Sequence, residues 1–357
     1  MMELTEVSRR FTQAAGCDAL YEVRDEAAGL HAFIALHDIS RGPGFGGIRR
    51  LVYPSVQDAV TDVVELAEQM TLKTRFAELP VGGAKAVILD RRGASAADHA
   101  KMYTALGAAV ESLGGAYVAG PEVGTGEADL ALMRAVTRWV TPEKAPSPRS
   151  AARGVVLAIE AATRHIGLDD AVTGVIGTGS VGGAVARELA ARGRRVILAD
   201  RNPERAKGLA GELGVPTGDP VALTYAEIGV LAPCGVGPFV THANVGALRC
   251  RIVCGAANVQ LEDATLATTL AERGILYVPD FAANAGAVIE AVLATQNPPP
   301  AAQLAREEGL ALFASELAAM TAAAVEAIGP RVASLLVEAD ACELTPLDVA
   351  LGRLATS

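Results

Sequence analysis

The chain has 357 residues, a formal net charge of −10, and 51% hydrophobic against 20% charged residues. That length exceeds one ordinary core and predicts two domains, while the apolar content excludes a disordered chain. Acidity, with no basic cluster beyond 192-RGRR-195, excludes a surface for a nucleic-acid backbone. The start, MMELTEVSRRF, lacks the apolar centre of a secretory signal and no run is read as reaching a membrane span, so the expectation is a cytoplasmic protein with no membrane partner.

In chain order, 31-HAFIALHDI-39 reads as a strand and 41-RGPGFGG-47 as a sharp glycine break. Ser55, three residues before Asp58, caps a helix that puts Val60, Val63, Val64, Ala67 and Met70 on one face and delivers Lys73 at its carboxyl end. Pro80 to Gly83 then read as a turn, and Ala86 to Leu89 as a strand. The Pro/Ser-rich 141-TPEKAPSPRS-150 marks a domain boundary. Beyond it come a helix over 154–166, the strand, glycine turn, helix and strand of 173–200, and short strands ending in 231-LAPCG-235, 251-RIVCGAAN-258 and 276-LYVPDFAANAG-286. Residues 298-PPPAA-302 read as a loop and the Ala-rich tail from about 303 as helical. Cys17, Cys234, Cys250, Cys254 and Cys342 are odd in number and scattered. Cys250 and Cys254 bracket Ile-Val, which reads as buried strand, and the histidines stand apart, so free structural thiols and no metal site are expected.

Two patterns carry chemistry. In 177-GTGSVG-182, Gly177, Gly179 and Gly182 have the spacing of a dinucleotide fingerprint between a strand and a helix, with Thr178, Ser180 and Val181 filling the loop. The glycines serve the tight turn, the approach of a pyrophosphate and the closure of helix on strand, and the helix start offers N–H groups to phosphate. Asp200, closing the next strand, suits the ribose hydroxyls of NAD, while Arg201 beside it could hold the extra phosphate of NADP, so NAD is favoured and NADP is the lesser alternative. The second pattern is the pair Lys73 and Lys85. Lys73 taken alone suits a helix carboxyl end. Lys85 leads straight into Ala-Val-Ile-Leu; desolvation or a second cation nearby favours the neutral amine, which can act as a general base.

These residues, with 42-GPGFGGIR-49, 70-MTLK-73, 82-GGAK-85, 121-PEVGT-125, 232-APCG-235, 255-GAAN-258 and 280-DFAANAGAVI-289 in collinear order over almost the whole chain, resemble the leucine/phenylalanine/valine branch of the amino-acid dehydrogenases related to glutamate dehydrogenase. The resemblance implies a two-domain α/β fold: a mixed substrate-binding and oligomerisation domain at 1–142, a Rossmann NAD-binding domain at 143–325, and a helical segment at 326–357 returning to the first domain, with the active site in the cleft between domains. It implies reversible NAD-dependent oxidative deamination of an apolar L-amino acid to its 2-oxo acid and ammonia, by a homo-oligomer. Lys73 would bind the substrate carboxylate and Lys85 would activate water, with Glu122 as its acidic partner. Gly46 and Gly47 would line the carboxylate pocket, Phe45 would lie near the side chain, and Asn258 beside nicotinamide and substrate. Ala232, Pro233, Cys234, Ala256 and Asn284 would border the cofactor.

The chain departs from the family where an aspartate is usual and Glu122 stands, adding roughly 1.5 Å of reach, and a misplacement of about 1 Å can cost roughly a hundredfold in rate. Ala151 replaces a threonine, with Ser150 as substitute hydroxyl toward the carboxamide, and Val259 replaces a second asparagine. Small Gly120 and Ala291 enlarge the side-chain pocket, Phe45 and Val288 fill it, and the balance leans toward aromatic or bulky apolar substrates. Two other readings stay open: a biosynthetic reductase acting on a related imine or oxo acid, and a non-catalytic dinucleotide-binding homologue in which Glu122 has spoiled the site.

Overall fold

The computed structural model describes residues 2–7, 16–143, 147–298 and 307–355. Parts of the expected linker (144–146), most of the proline loop expected at 298–302 and the start of the expected helical tail lie outside the described residues. Two compact units emerge, Met1–Ala145 with Ala291–Pro300, and Pro146–Glu290 with Ala301–Ser357.

The first unit is built on a six-stranded sheet of β1 (Glu3–Glu6), β2 (Ala19–Asp25), β3 (Leu30–Asp38), β4 (Gly44–Leu51), β5 (Gly82–Leu89) and β6 (Tyr117–Gly120), in the order β1-β2-β3-β5-β4-β6. Strands β4, β5 and β6 run parallel, whereas β1, β2, β3 and β5 pair antiparallel. Alternation along β5 sends Ala84, Ala86 and Ile88 to one face and Val87 to the other. The second face is covered by helix α1 (Val56–Phe76) through Ala59, Val60, Val63 and Ala67; the first by α2 (Ala96–Ser112) and α3 (Glu127–Arg134) through Met102, Leu106, Val110 and Met133. Ser55 caps α1 as expected, accepting from the Asp58 amide at 3.1 Å. Val64 and Met70, expected on the inner face, are half-buried; Leu66, Thr71 and Thr74 are buried instead.

The glycines read as turns are strand. Gly44 to Gly47 lie within β4 and Gly82 opens β5. A Cβ on Gly83 would lie 2.1 Å from the Thr71 amide nitrogen, so this glycine lets the last turns of α1 press on β5, which a turn would not do.

The second unit has the parallel order β11-β10-β9-β7-β8, from β7 (Thr173–Ile176), β8 (Val196–Ala199), β9 (Val230–Pro233), β10 (Ile252–Val253) and β11 (Leu276–Tyr277). Helices α4 (Pro148–His165) and α5 (Ser180–Ala191) pack on each other, and α6 (Pro203–Leu213) follows β8. Further on lie α7 (Gly286–Gln296), α8 (Glu307–Glu326), α9 (Ile328–Cys342) and α10 (Pro346–Ala355). This is the Rossmann-type arrangement expected.

Two expectations are corrected here. The helices from 328 to 355, expected to serve the first domain, group with the second unit: α9 buries Ile328, Val332, Leu335, Leu336 and Ala339 and packs on α4, whose Ala- and Val-rich inner face accepts it. The stretch Leu312–Cys342 is, by length and composition alone, long and apolar enough to cross a membrane. Its apolar content comes from Ala and Leu spread over two helices, and those of α9 serve the packing against α4.

Candidate active site

In the first unit the candidate residues converge on the middle of β4, β5 and β6. Gly47 pairs with Gly120 across β4 and β6, and the pairs Phe45–Gly83 and Ile48–Ala86 bring Lys85 level with Gly47. Lys85 is 3% exposed, on the α1 face of β5. Its ammonium donates to Glu122 Oε2 at 2.7 Å, from a loop just past the carboxyl end of β6. The charged group that meets Lys85 is thus a carboxylate, and Lys85 stands here as an ion-paired cation. Burial acts to raise the Glu122 carboxyl, but the Lys85 ammonium, its hydrogen bond, the Val123 amide and Arg49 outweigh it and hold the group at about 2. Glu122 therefore reaches the lysine despite its extra methylene.

Gly46 and Gly47 are sites of close approach. A Cβ on Gly46 would lie 1.7 Å from the Ala84 carbonyl oxygen, and one on Gly47 would lie 2.4 Å from that of Pro121. Any side chain here would push β4 off its neighbours. Tyr117 locks the stretch by donating to the Gly46 carbonyl at 2.9 Å. Phe45 is buried at 2% exposure, Gly120 is buried facing Thr141, and Ala291 is buried and belongs to the first unit. Lys73 lies half-buried in the last turn of α1, next to the contact of Thr71 with Gly83.

Sequence reading assigned no role to three neighbours. Arg49 Nη2 lies 3.4 Å from Glu122 Oε1, its Nη1 donates to Asp62 Oδ1 at 2.8 Å, and Asp62 accepts from the Tyr53 hydroxyl at 2.6 Å. Burial and the Asp62 carboxylate push the Tyr53 phenol up, so it remains a donor. Arg49 ends the quoted 42-GPGFGGIR-49; the signal available was a charged residue at a strand position whose neighbour Ile48 is core.

In the second unit Gly177 has φ +97 and donates its amide to the Ala199 carbonyl at 2.8 Å. A Cβ on Gly182 would lie 1.9 Å from the Gly177 carbonyl oxygen, whereas one on Gly179 meets nothing within 4 Å. The third glycine closes helix on strand and the second leaves open space at the helix start, where Gly179 is the N-cap and Ser180 and Val181 open α5. Asp200 Oδ2 accepts from the Thr178 amide and hydroxyl at 2.7 and 3.0 Å, and Oδ1 from the Asn202 amide at 2.8 Å. Burial raises this carboxyl, and those bonds outweigh it. Arg201 is exposed, and Arg205 lies 3.7 Å from Asp200.

The carboxyl ends of β9 and β10 continue the site. Cys234 packs under the glycine loop, since a Cβ on Gly182 would also lie 2.8 Å from Cys234 Cβ, and Ala232 and Pro233 pair with Val175 and Ile176 just before that loop. Burial pushes the Cys234 thiol up to about 12, which makes it a packing group. Cys250 and Cys254 are buried beside β10 and unbonded. Asn284 Nδ2 donates to the Ala256 carbonyl at 3.2 Å, that of Ala257 at 3.4 Å and Asn258 Oδ1 at 3.2 Å. These acceptors fix the amide's orientation and leave its buried Oδ1 with no hydrogen-bond partner among the described residues. Buried Gln260, also given no role from sequence, ties the same loop through the Gly255 carbonyl at 2.9 Å. Asn258 is exposed, Val288 is half-buried on α7, and the Ser150 carbonyl abuts Gly286, where a Cβ would lie 1.9 Å away. The positive-φ glycine, the open helix start and an orphaned acceptor that suits a carboxamide N–H fit a nicotinamide dinucleotide.

Fold and site define a dinucleotide-dependent oxidoreductase with a buried lysine–carboxylate pair. Residues 17–139 match the family model "Glu/Leu/Phe/Val dehydrogenase, dimerisation domain", and 207–350 match "Glutamate/Leucine/Phenylalanine/Valine dehydrogenase". Residues 172–232 also match "NADP oxidoreductase coenzyme F420-dependent". The chain is 36% identical over 280 residues to a valine dehydrogenase of Streptomyces coelicolor (75% of this chain, 76% of the relative), and 33% identical over 285 residues to a leucine dehydrogenase of Thermoactinomyces intermedius (76% of each). The crystal structure of L-tryptophan dehydrogenase from Nostoc punctiforme superposes with TM-score 0.79 at 27% identity, covering 97% of both chains. The chain belongs to the glutamate/leucine/phenylalanine/valine dehydrogenase family. It is an NAD-dependent amino-acid dehydrogenase, an oxidoreductase acting on CH–NH2 groups.

Proposed function

We propose that the protein deaminates an apolar L-amino acid, aromatic or branched-chain, to its 2-oxo acid and ammonia, and runs the reverse reductive amination. The observation that carries this reading is the Lys85–Glu122 pair, 2.7 Å apart, its lysine buried on β5 beside a row of glycines and its carboxylate in the loop after β6. Burying two charges costs more than apolar packing of the same strand, so the pair is there for chemistry.

In this reading Lys73 holds the substrate carboxylate against Gly46 and Gly47, and Phe45, Gly120 and Ala291 bound the side chain. A nicotinamide dinucleotide held by the residues of the second unit would supply the acceptor for the hydride leaving Cα. Lys85, after losing its proton to solvent, takes one from the water whose hydroxide adds to the imine carbon and passes it to the nitrogen; the carbinol O–H then returns a proton to Lys85 as the C–N bond breaks, giving the 2-oxo acid and ammonia. Glu122 holds Lys85 in place and balances its charge. The glycine loop with Thr178, Ser180 and Val181 holds the pyrophosphate, Asp200 the adenosine ribose, with Arg201 beside it, and Ser150, Asn258 and Asn284 the nicotinamide side, over a floor of Ala232, Pro233, Cys234 and Ala256. The small Gly120 and Ala291 favour aromatic or bulky substrates.

The first 142 residues serve substrate binding and self-association, in line with the dimerisation-domain match at 17–139, and 143–325 bind NAD. We place the enzyme in the cytoplasm as a homo-dimer or higher homo-oligomer, without nucleic-acid or membrane partners. The test is oxidation of NADH and NADPH against a panel of 2-oxo acids with ammonium. Turnover of phenylpyruvate or 4-methyl-2-oxopentanoate that vanishes in Lys85→Ala supports the reading; tight NAD binding without turnover of any acid overturns it.

A further inference from the structure

The two oxygens of Glu122 face different partners. Oε2 takes Lys85 at 2.7 Å, while Oε1 accepts from the Val123 amide at 3.0 Å and lies 3.4 Å from Arg49 Nη2. The guanidinium is itself anchored: Nη1 donates to both Asp62 oxygens, at 2.8 and 3.2 Å, and Tyr53 donates to Asp62 at 2.6 Å. The side chains of Arg49, Asp62 and Glu122 are 18%, 25% and 13% exposed, so water screens this chain of charges weakly.

A carboxylate one methylene shorter ends roughly 1.5 Å back along the same path. It can keep one of the two cations in reach and loses the other. Arg50, the next residue of β4, points the opposite way and secures the loop's main chain: its amide donates to the Val123 carbonyl at 2.9 Å and its Nε to that of Gly124 at 3.0 Å. The loop is therefore held without Arg49, and what Arg49 adds is control of the carboxylate.

We infer that Arg49 is a positioning residue acting through Glu122: fixed to Asp62 on α1, its guanidinium holds one carboxylate oxygen and so directs the other to Lys85. The inference rests on the proposed dehydrogenase reading of Lys85 and makes the longer glutamate the partner of a particular arginine. Removing Arg49 lets the carboxylate turn, and a misplacement of about 1 Å is worth up to roughly a hundredfold in rate.

The experiment uses the full-length protein with NADH, ammonium and the best 2-oxo acid, and follows the Glu122 carboxyl by carbon-13 NMR, assigned with Glu122→Gln. Arg49→Met is expected to lower kcat by about ten- to a hundredfold with KM changed less than about threefold. Asp62→Asn acts in the same direction less strongly, and Arg49→Lys restores part of the loss. Glu122→Asp alone loses activity, and in that background Arg49→Met adds less than about threefold, because the short carboxylate no longer meets the guanidinium. The Glu122 titration midpoint moves up in Arg49→Met. Unchanged kcat, the same fold loss in both backgrounds, or an unmoved midpoint overturns the inference. If the wild type turns over no 2-oxo acid, the proposed reaction fails, and the midpoint alone decides the role of Arg49. Should Arg49→Met fail to fold by circular dichroism, Arg49→Lys and Asp62→Asn carry the same comparison.

Discussion

Replacing Glu122 by Gln keeps the side chain's shape and removes its charge. A carboxyl lowered from 4.5 to about 2 on folding is worth about 3 kcal/mol. The mutation also leaves Lys85, 3% exposed, facing a neutral amide, and breaking a buried pair costs about 3–5 kcal/mol, so both routes give the same size. The sign follows from the folded value lying below the unfolded one: the contribution is complete above pH 4.5 and is lost as pH falls through about 2. Calorimetry at pH 7 should therefore show Glu122→Gln melting roughly 6–12 °C lower, at about 2–4 °C per kcal/mol for a unit of this size. Urea titrations from pH 7 to pH 3 should show the gap between wild type and variant closing only below about pH 4.5, while the NADH Kd of the second unit stays unchanged. A loss under about 1 kcal/mol, or a gap independent of pH, refutes the claim that Glu122 is a buried, ionised partner of Lys85.

Gly182→Ala should destabilise the protein by about 1–3 kcal/mol in thermal unfolding, because its Cβ would lie 1.9 Å from the Gly177 carbonyl oxygen. Gly179→Ala, with nothing within 4 Å, should leave stability within about 0.5 kcal/mol and instead raise the NADH Kd about tenfold by titration fluorescence. Asn284→Leu removes both the ties to 256–258 and the orphaned acceptor, and calorimetric titration should show NADH binding about tenfold weaker. Asp200→Ser should shift the NADH to NADPH Kd ratio at least about tenfold toward NADPH; an unchanged ratio would show that Asp200 serves only Thr178 and Asn202.

What was legible in the sequence is local. The dinucleotide unit was readable because its glycines, helix and closing aspartate lie within 173–200 and interact with one another, as in Gly182 on Gly177 and Thr178 on Asp200. Ser55 and Asp58 were readable for the same reason. Lys85 announced itself as a cation leading an apolar run, and it is buried. The misreadings share one cause. Gly44 to Gly47 and Gly82 to Gly83 were read as breaks because glycine usually marks turns, but here it is required by neighbours distant in sequence, Thr71 on α1 and Pro121 beyond β6. The placement of α9 was likewise set by α4, well over a hundred residues earlier, and no local pattern in α9 names that partner.

Glu122 shows where that boundary falls within one residue. Its charge and length could be read, and with Lys73, Lys85 and the glycine fingerprint retained they favoured a rebuilt site over a spoiled one without showing how it is rebuilt. The rebuilding turns on Arg49 and Asp62, which lie far away in the chain and become neighbours only because β4 pairs with β6 and packs against α1. Oε1 is already held by the Val123 amide, and the extra methylene lets the same carboxylate also lie within reach of Arg49 while Oε2 meets Lys85. A spoiled site has no reason to retain such a match, since a buried lysine with a half-buried arginine and two carboxylates costs more than the apolar packing that could replace them. Under the proposed reaction, the departure from the family's usual acid is an adjustment of the same chemistry, with Arg49 as its counterpart.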